Sequence, residues 1–480
     1  MTSKSENTLS AAPLSRGEVL IALAGGVLLA LLILHSALLA ITVLVGLGVL
    51  LIFSGSPLRA LALLIFLLPF SQIDILAENL VSLPGSKPVL LLGLFVAIIA
   101  ILNFRHAATM TALQRWFAIL LLSLFVAGVL RSLPHVGLIS AAKGEDLNTV
   151  RYLLSYLVRP LVYLLPFLII SKFTRGLPGI RFLNTVFFYT MLAFSGYFLY
   201  YYVFHVADKG DIMAAWRYVG EALSMHKNAA GAFYVVAFPL LLGRYFSRRN
   251  LFSLAGIVLS LLAIAFLYSR TAYFTALAAT LAFFVLTRRI RFLPVLGILG
   301  AFFILLLSPT VIERATQGIY EEGADIDVVS AGRIYNLWTP LLQEYGQDPA
   351  ALALGKGRYA ILTTQVSQNG VIQNYDHPHN MYLELLLDAG LAGLLPLMLL
   401  YLAILLKALA ALRRSPPGEL REYLAATTAS LVSYLLAGLT QGSLLPDLEN
   451  SFLYAALAML LVLVRLSETP PPAHSGGADG

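Results

Sequence analysis

The chain has 480 residues, 59% of them hydrophobic and 12% charged, where a soluble domain carries about a quarter charged residues. It contains no cysteine, which excludes disulfides, thiolate metal sites and cysteine nucleophiles. The formal net charge of +7 leaves a polyanionic partner open until the basic residues are placed along the chain.

Met1 to Glu18 is polar and lacks a small-residue cleavage site, so it reads as a cytoplasmic tail and not as a removable signal. Apolar blocks then recur at 19–34, 37–53, 58–70, 88–103, 116–130, 152–171, 181–204, 228–246, 251–268, 271–287, 292–307, 381–410, 423–440 and 449–465. Their length, about 15 to 25 residues, matches a bilayer crossing. Runs such as Pro88 to Leu102 do not alternate in polarity, as the strands of a membrane barrel would. The expected fold is therefore all-α and polytopic, with about 12–14 transmembrane helices. The predicted layout is a helical block over 19–307, a polar loop over 308–380 and a second helical block over 381–466. The remainder, 467–480, with its Pro470-Pro471-Pro472 run, reads as a disordered tail.

With the N-terminus inside, sixteen basic residues from Arg59 to Arg421 fall in cytoplasmic loops beside only two acids, Glu419 and Glu422. The other side collects Asp208, Asp211, Glu313, Glu321, Glu322, Asp325, Asp327 and Asp376. This is the positive-inside pattern. It sets the polar loop on the outer face and both termini in the cytoplasm. The basic charge orients the chain, so no nucleic-acid partner is expected.

Several residues stand out in chain order. Asp74 and Glu78 read as solvated loop charges. Arg159, next to Pro160 inside a span, either faces a partner or cavity or snorkels to the surface. Tyr197 to Tyr202 reads as an interfacial aromatic belt. Arg217, His226, Lys227 and Asn228 share the next outer loop. Arg270 sits in the tight Tyr268-Ser269-Arg270-Thr271 turn, with no acid within six positions. In the large loop, Arg333 and Trp338 fall on a short predicted helix capped by Ser330. Gly355-Lys356-Gly357-Arg358 is a weak phosphate-loop signal, matching neither Walker nor dinucleotide patterns.

The loop ends in Asp376-His377-Pro378-His379-Asn380, directly before an apolar span. Three roles stay open for these histidines: a metal site with Asp376, a general base with its support, or a cap for the following helix. The outward arginines favour chemistry on phosphate, which guanidinium groups bind bidentately. Outside the cell that phosphate is a lipid-linked one. A neutral imidazole beside it can take a proton from an attacking hydroxyl.

The run from about 215 to 400 resembles the O-antigen ligase and polymerase superfamily of bacterial inner-membrane glycosyltransferases. The similarity is carried by Tyr268-Ser269-Arg270-Thr271-Ala272, Gly332-Arg333 with Trp338, and Gly355-Lys356-Gly357, and more weakly by His226-Lys227-Asn228-Ala229-Ala230-Gly231. Its most specific element is His379-Asn380-Met381-Tyr382-Leu383 with Gly390-Leu391-Ala392-Gly393 after it. The resemblance implies a GT-C-like fold with one large periplasmic loop. It also implies transfer of a glycan from undecaprenyl pyrophosphate without metal, nucleotide or other cofactor. His379 would be the base with His377 supporting it, and Arg270 and Arg333 would hold the pyrophosphate. Arg217, Lys227 and Arg358 are further candidates for that anion. The expected acceptor is the lipid A core, as in a ligase; a growing glycan would make the protein a polymerase, and a protein hydroxyl an oligosaccharyltransferase. A transporter of lipid-linked sugars is the rival from another class, and would call for midplane charges and an inverted repeat.

Overall fold

The computed structural model describes residues 52–73, 88–205, 212–292, 294, 297, 330, 332–372, 375–440 and 442–468. The predicted span at 19–34, most of those at 37–53 and 292–307, and the acidic run 321–327 lie outside the described residues. So does the tail beyond Glu468. The chain divides into Met1–Gly55 and Ser56–Gly480, and the second unit carries everything below.

The described residues form helices and no strand. In order these are α1 (Pro57–Leu67), α2 (Pro88–Leu102), α3 (Ala112–Arg131), α4 (Val136–Lys143), α5 (Thr149–Leu153), α6 (Arg159–Phe173), α7 (Leu177–His205), α8 (Ile212–Leu223), α9 (Lys227–Arg248), α10 (Leu251–Phe266) and α11 (Arg270–Leu286). After the polar stretch come α12 (Thr339–Gln347), α13 (Pro349–Leu354), α14 (Gln365–Gln368), α15 (Met381–Arg414), α16 (Glu419–Ala437) and α17 (Ser451–Glu468). Six of the described helical stretches are long and apolar enough to cross a membrane. The protein is an all-α, multi-pass membrane protein.

Composition explains which helices sit inside. On α9 every residue from Ala229 to Arg244 is buried, and on α17 every residue from Ser451 to Val464. Small side chains let these helices approach closely, as membrane packing favours. A Cβ on Gly243 of α9 would stand 2.7 Å from that of Ala426 on α16. The rim helices instead point Trp116, Ile119, Phe274, Leu277, Leu399 and Leu402 outward. At the end where α16 begins, Glu419 pairs with Arg181, and Glu422 with Arg289 at 2.5 Å. Those are the two acids of the basic side of the chain.

The described part of the stretch predicted as one polar loop is folded. A wide turn at Ile334–Trp338 leads into α12 and α13, whose Leu337, Leu341, Tyr345 and Ala351 bury against Ile361, Ile372, Leu383 and Leu387. Ser330 Oγ accepts from the backbone N–H groups of Arg333 and Ile334, as a cap there should. This small core rests on the start of α15. Gly355 and Gly390 sit at φ 71°, ψ 175° and φ 65°, ψ −171°, a region nearly closed to other residues. A Cβ on Gly355 would meet the Asp388 backbone at 2.4 Å, and one on Gly390 the Ala353 backbone at 2.4 Å. Gly355-Lys356-Gly357 is thus a close backbone contact with α15, sealed by Lys356 N–H to Leu387 O and Gly357 N–H to Asp388 O. It is not a phosphate loop.

Two further expectations resolve here. Arg159 follows a wide turn at Leu154–Val158, and its Nε is buried without a hydrogen-bond partner among the described residues. In the Tyr197–Tyr202 run, Tyr200 is exposed, whereas the Tyr197 hydroxyl donates to Ala222 O and the Tyr202 hydroxyl meets that of Tyr268 at 2.9 Å. The run anchors α8 and the end of α10 as much as it forms a belt.

Candidate functional site

Three helix N-termini open onto one cavity of about 660 Å³. The start of α9 contributes His226, Lys227 and Asn228; the start of α11 contributes Ser269, Arg270 and Thr271; His379 stands just ahead of α15. Arg333, Ser330 and Trp338 close one side. Leu436, Leu439 and Thr440, at the end of α16, close another.

Local sequence builds each corner. His226 Nδ1 accepts from Asn228 N–H at 3.2 Å and so caps α9. Ser269 Oγ caps α11 and also donates to Asn228 Oδ1 at 2.8 Å, tying the two N-termini together. Gly231 permits this: a Cβ there would lie 3.3 Å from that of Ala272. Asn380 Oδ1 caps α15 through the N–H groups of Tyr382 and Leu383, both at 3.0 Å. Its Nδ2 donates to Leu439 O at 3.3 Å. The Arg333 guanidinium donates to Thr440 O at 3.0 Å, and the Thr440 and Thr271 hydroxyls meet at 2.8 Å. Leu439 and Thr440, just after α16, are therefore the hub on which α11, α15 and Arg333 dock.

Helix N-termini present partial positive charge and normally attract acids. Here the first turns of α9 and α11 hold no acid, and their first residues are Lys227 and Arg270. Arg333 adds a half-buried third cation, held below its usual pKa by burial and by Arg270 against the pull of Tyr375. Positive helix ends and cations gathered on one cavity suit a bound anion.

His379 has a left-handed backbone (φ 52°). The Trp338 indole N–H donates to Pro378 O at 2.8 Å, and the His379 N–H donates to His377 Nδ1 at 3.2 Å. The two imidazoles touch, with ring centroids 3.8 Å apart. The nitrogens of the His379 ring make no hydrogen bond among the described residues. Burial first, then His377, Arg333 and His226, push its pKa down to about 3. These surroundings favour the neutral ring.

His377 does not line the large cavity. It faces a small pocket with Tyr359, Asp376 and Glu384. Its Nε2 lies 3.9 Å from Asp376 Oδ1, and Asp376 in turn pairs with Lys143 of α4. Burial would raise the Asp376 carboxyl, but Lys143 outweighs it and holds the group below its usual range. Asp376, His377 and His379 do not form a three-ligand metal group, and no such group occurs among the described residues.

Two of the expected anion-binding residues are elsewhere. Arg358 is buried among carboxylates, 2.6 Å from Glu384, 3.4 Å from Asp388 and 3.6 Å from Asp447. Those carboxylates offset its charge, and it does not line the cavity. Arg217 is exposed on α8 and does not line the cavity. Conversely, Thr440, Leu436 and Leu439 carried no signal in the sequence, because they end an ordinary apolar helix.

The cavity is also divided by polarity. Cations and histidines gather at the helix ends, while Tyr273, Phe274, Leu277, Leu436 and Leu439 line the rest. Phe274, Leu277 and Leu439 are exposed as well, so the apolar flank opens sideways on the rim of the bundle. An amphiphilic anion fits such a shape.

Residues 255–398 match the family model described as O-antigen ligase. The chain is similar to that family over this stretch. The matched stretch spans Arg270, Arg333, His377, His379, Gly355 and Gly390, and it supports the ligase and polymerase superfamily of glycosyltransferase-type membrane enzymes. His226 and Lys227 lie before the matched stretch. No curated protein matches the chain.

Proposed function

We propose that this protein transfers a glycan from undecaprenyl pyrophosphate to a hydroxyl acceptor, the lipid A core first among candidates, at the periplasmic face of the inner membrane. One observation carries the reading: Lys227 and Arg270 begin two helices whose positive ends converge with Arg333 on a cavity that is apolar on its other side. A polyprenyl pyrophosphate has the matching charge and the matching tail.

Arg270, Arg333 and Lys227 hold the pyrophosphate, and the chain's helix ends add their N–H groups. His379 accepts the proton of the acceptor hydroxyl. The acceptor oxygen bonds to the anomeric carbon from the side opposite the pyrophosphate, inverting it. The carbon–oxygen bond to phosphate breaks, its electron pair stays on the pyrophosphate, and the fixed cations stabilise that charge. An imidazole with a pKa near 3 is a weak base. Two phosphate charges entering the same cavity act with the opposite sign to Arg333 and raise it toward the working pH. The substrate thereby activates its own base.

The test is glycan transfer in vitro with purified lipid-pyrophosphate donor, candidate acceptors and a chelator present throughout. His379→Ala should bind donor and lose transfer. Full transfer by that variant would make His379 no more than part of a helix cap. Labelled lipid crossing the bilayer with no product formed would favour the transporter. Which acceptor is consumed separates ligase from polymerase.

A further inference from the structure

The His226 ring is locked in one tautomer. Its Nδ1 accepts the Asn228 N–H, so in the neutral ring the proton must sit on Nε2. The edge bearing Nε2 is turned away from the helix it caps, and the residue is exposed on the cavity. His226 therefore offers a fixed N–H donor, while His379, its counterpart across the cavity, has uncommitted nitrogens. One ring is built to give a hydrogen bond and the other to take a proton.

The surroundings keep it neutral. Lys227 beside it, Arg270 on α11, Arg333 and His379 line the same cavity, the His377 ring touches that of His379, and none of them is an acid. Adding a proton to His226 would also break its cap, because a charged imidazole cannot accept from Asn228. A neutral donor suits a leaving group: it stabilises an oxygen whose charge grows, and it gives up no proton that must later be recovered.

We propose that His226 donates its Nε2–H to the pyrophosphate oxygen that leaves the anomeric carbon, and is thus a further catalytic residue of the transfer. The inference rests on the group-transfer reading above. As the carbon–oxygen bond breaks, the electron pair moves to that oxygen and the hydrogen bond from His226 shortens; the acceptor's proton goes to His379. The bond is worth more to the departing pyrophosphate than to the intact donor, because the product carries the extra charge.

The variant to make is His226→Asn. Asparagine caps a helix as well as any residue, so α9 is kept, but it places no donor where Nε2 lies. Three quantities should be measured on purified protein: kcat with lipid-pyrophosphate glycan across pH, KM for that donor, and affinity for farnesyl pyrophosphate as a mimic of the product. The expected result is a kcat lower by about 10²-fold, as for loss of one preorganised donor. KM should stay within about twofold, and farnesyl pyrophosphate should bind about tenfold more weakly. The kcat profile should fall uniformly and keep its acid limb, because His226 does not titrate in the cycle. An unchanged kcat overturns the proposal. So does a profile whose acid limb disappears, since His226 would then be a base. If the Asn variant fails to fold, His226→Ser, another good cap, is read in its place. Wild-type protein that binds farnesyl pyrophosphate but makes no product would sink the transfer reading alone; unaltered farnesyl pyrophosphate binding in the variant would sink the His226 contact alone.

Discussion

At the scale of single residues, the site is held together by placements that are unfavourable in isolation. Lys227 and Arg270 at helix N-termini each oppose the helix dipole by about 0.3–1 kcal/mol, and Arg333 stands close enough to Arg270 to be perturbed by it. Bound pyrophosphate relieves all three. Arg270→Ala should therefore keep its fold yet raise the KM for donor about 10- to 100-fold, the worth of one or two charge-assisted hydrogen bonds. Thermal melting and donor titration check both halves, and a destabilised variant with normal KM would make Arg270 structural. Arg358 predicts the reverse. Removing it leaves Glu384 and Asp388 buried without their cation, so Arg358→Ala should lose about 3–5 kcal/mol of stability. The fraction that still folds should bind donor normally.

The histidines give a pH signature at the same scale. The His379 pKa of about 3 lies below the unfolded value, so its neutral form contributes stability in full above the unfolded pKa and loses it as pH falls toward the folded one. Wild type should lose more stability between about pH 6.5 and pH 4 than His379→Ala does. In catalysis the two profiles should separate. The kcat/KM profile reports the free enzyme and should stay flat well below neutrality, whereas the kcat profile, with pyrophosphate bound, should show its acid limb at higher pH. Coincident limbs would mean that substrate does not recharge the base.

At the scale of elements, hydropathy was a good guide and polarity a poor one. The predicted span at 88–103 is the shorter apolar helix α2 (Pro88–Leu102), and those at 228–246 and 449–465 are α9 (Lys227–Arg248) and α17 (Ser451–Glu468), long enough to cross a bilayer, because a long apolar run announces a helix by itself. The stretch 308–380 read as a loop since α12 and α13 are short and broken by Pro340, Pro349 and Gly355. Their stability comes from Leu337, Leu341 and Tyr345 packing on Leu383 and Leu387, contacts that no local pattern reveals. The glycine motifs were visible but the contact they make was not, for the same reason. Gly355 and Gly390 touch each other's backbone neighbours, so their meaning exists only in the pair. Gly390→Ala forces a side chain into a conformation that costs about 1–3 kcal/mol and into the Ala353 backbone. It should lower the melting temperature and detach the small helical layer from α15. Faster proteolysis near 354–360, scored against wild type, would report that detachment; wild-type resistance would show that the kink tolerates a side chain.

At the scale of the whole molecule, the question is which way the site faces. The basic loops placed it outward from charge bias alone, and the fold adds a physical division. The cavity and its three helix N-termini occupy one end of α16, while Arg181–Glu419 and Arg289–Glu422 occupy the other. The chain has no cysteine, so a single introduced thiol reports its own side of the membrane. Glu145 is exposed on the site end, two residues from the Lys143 that pairs with Asp376. Arg413 is exposed near the far end of α15, more than 20 residues and so about 35 Å of helix beyond the kink at Gly390. In intact cells a membrane-impermeant maleimide should label Glu145→Cys and leave Arg413→Cys untouched until the membrane is opened. Retained activity in both variants makes the labelling meaningful. The opposite pattern would place the cavity in the cytoplasm, where nucleotide-linked sugars are the available donors, and the lipid pyrophosphate would then have to be argued against them on affinity. Labelling of Glu145→Cys alone ties the cations, the apolar flank and the neutral imidazoles to a compartment without nucleotides, where a polyprenyl-linked glycan is the anion at hand.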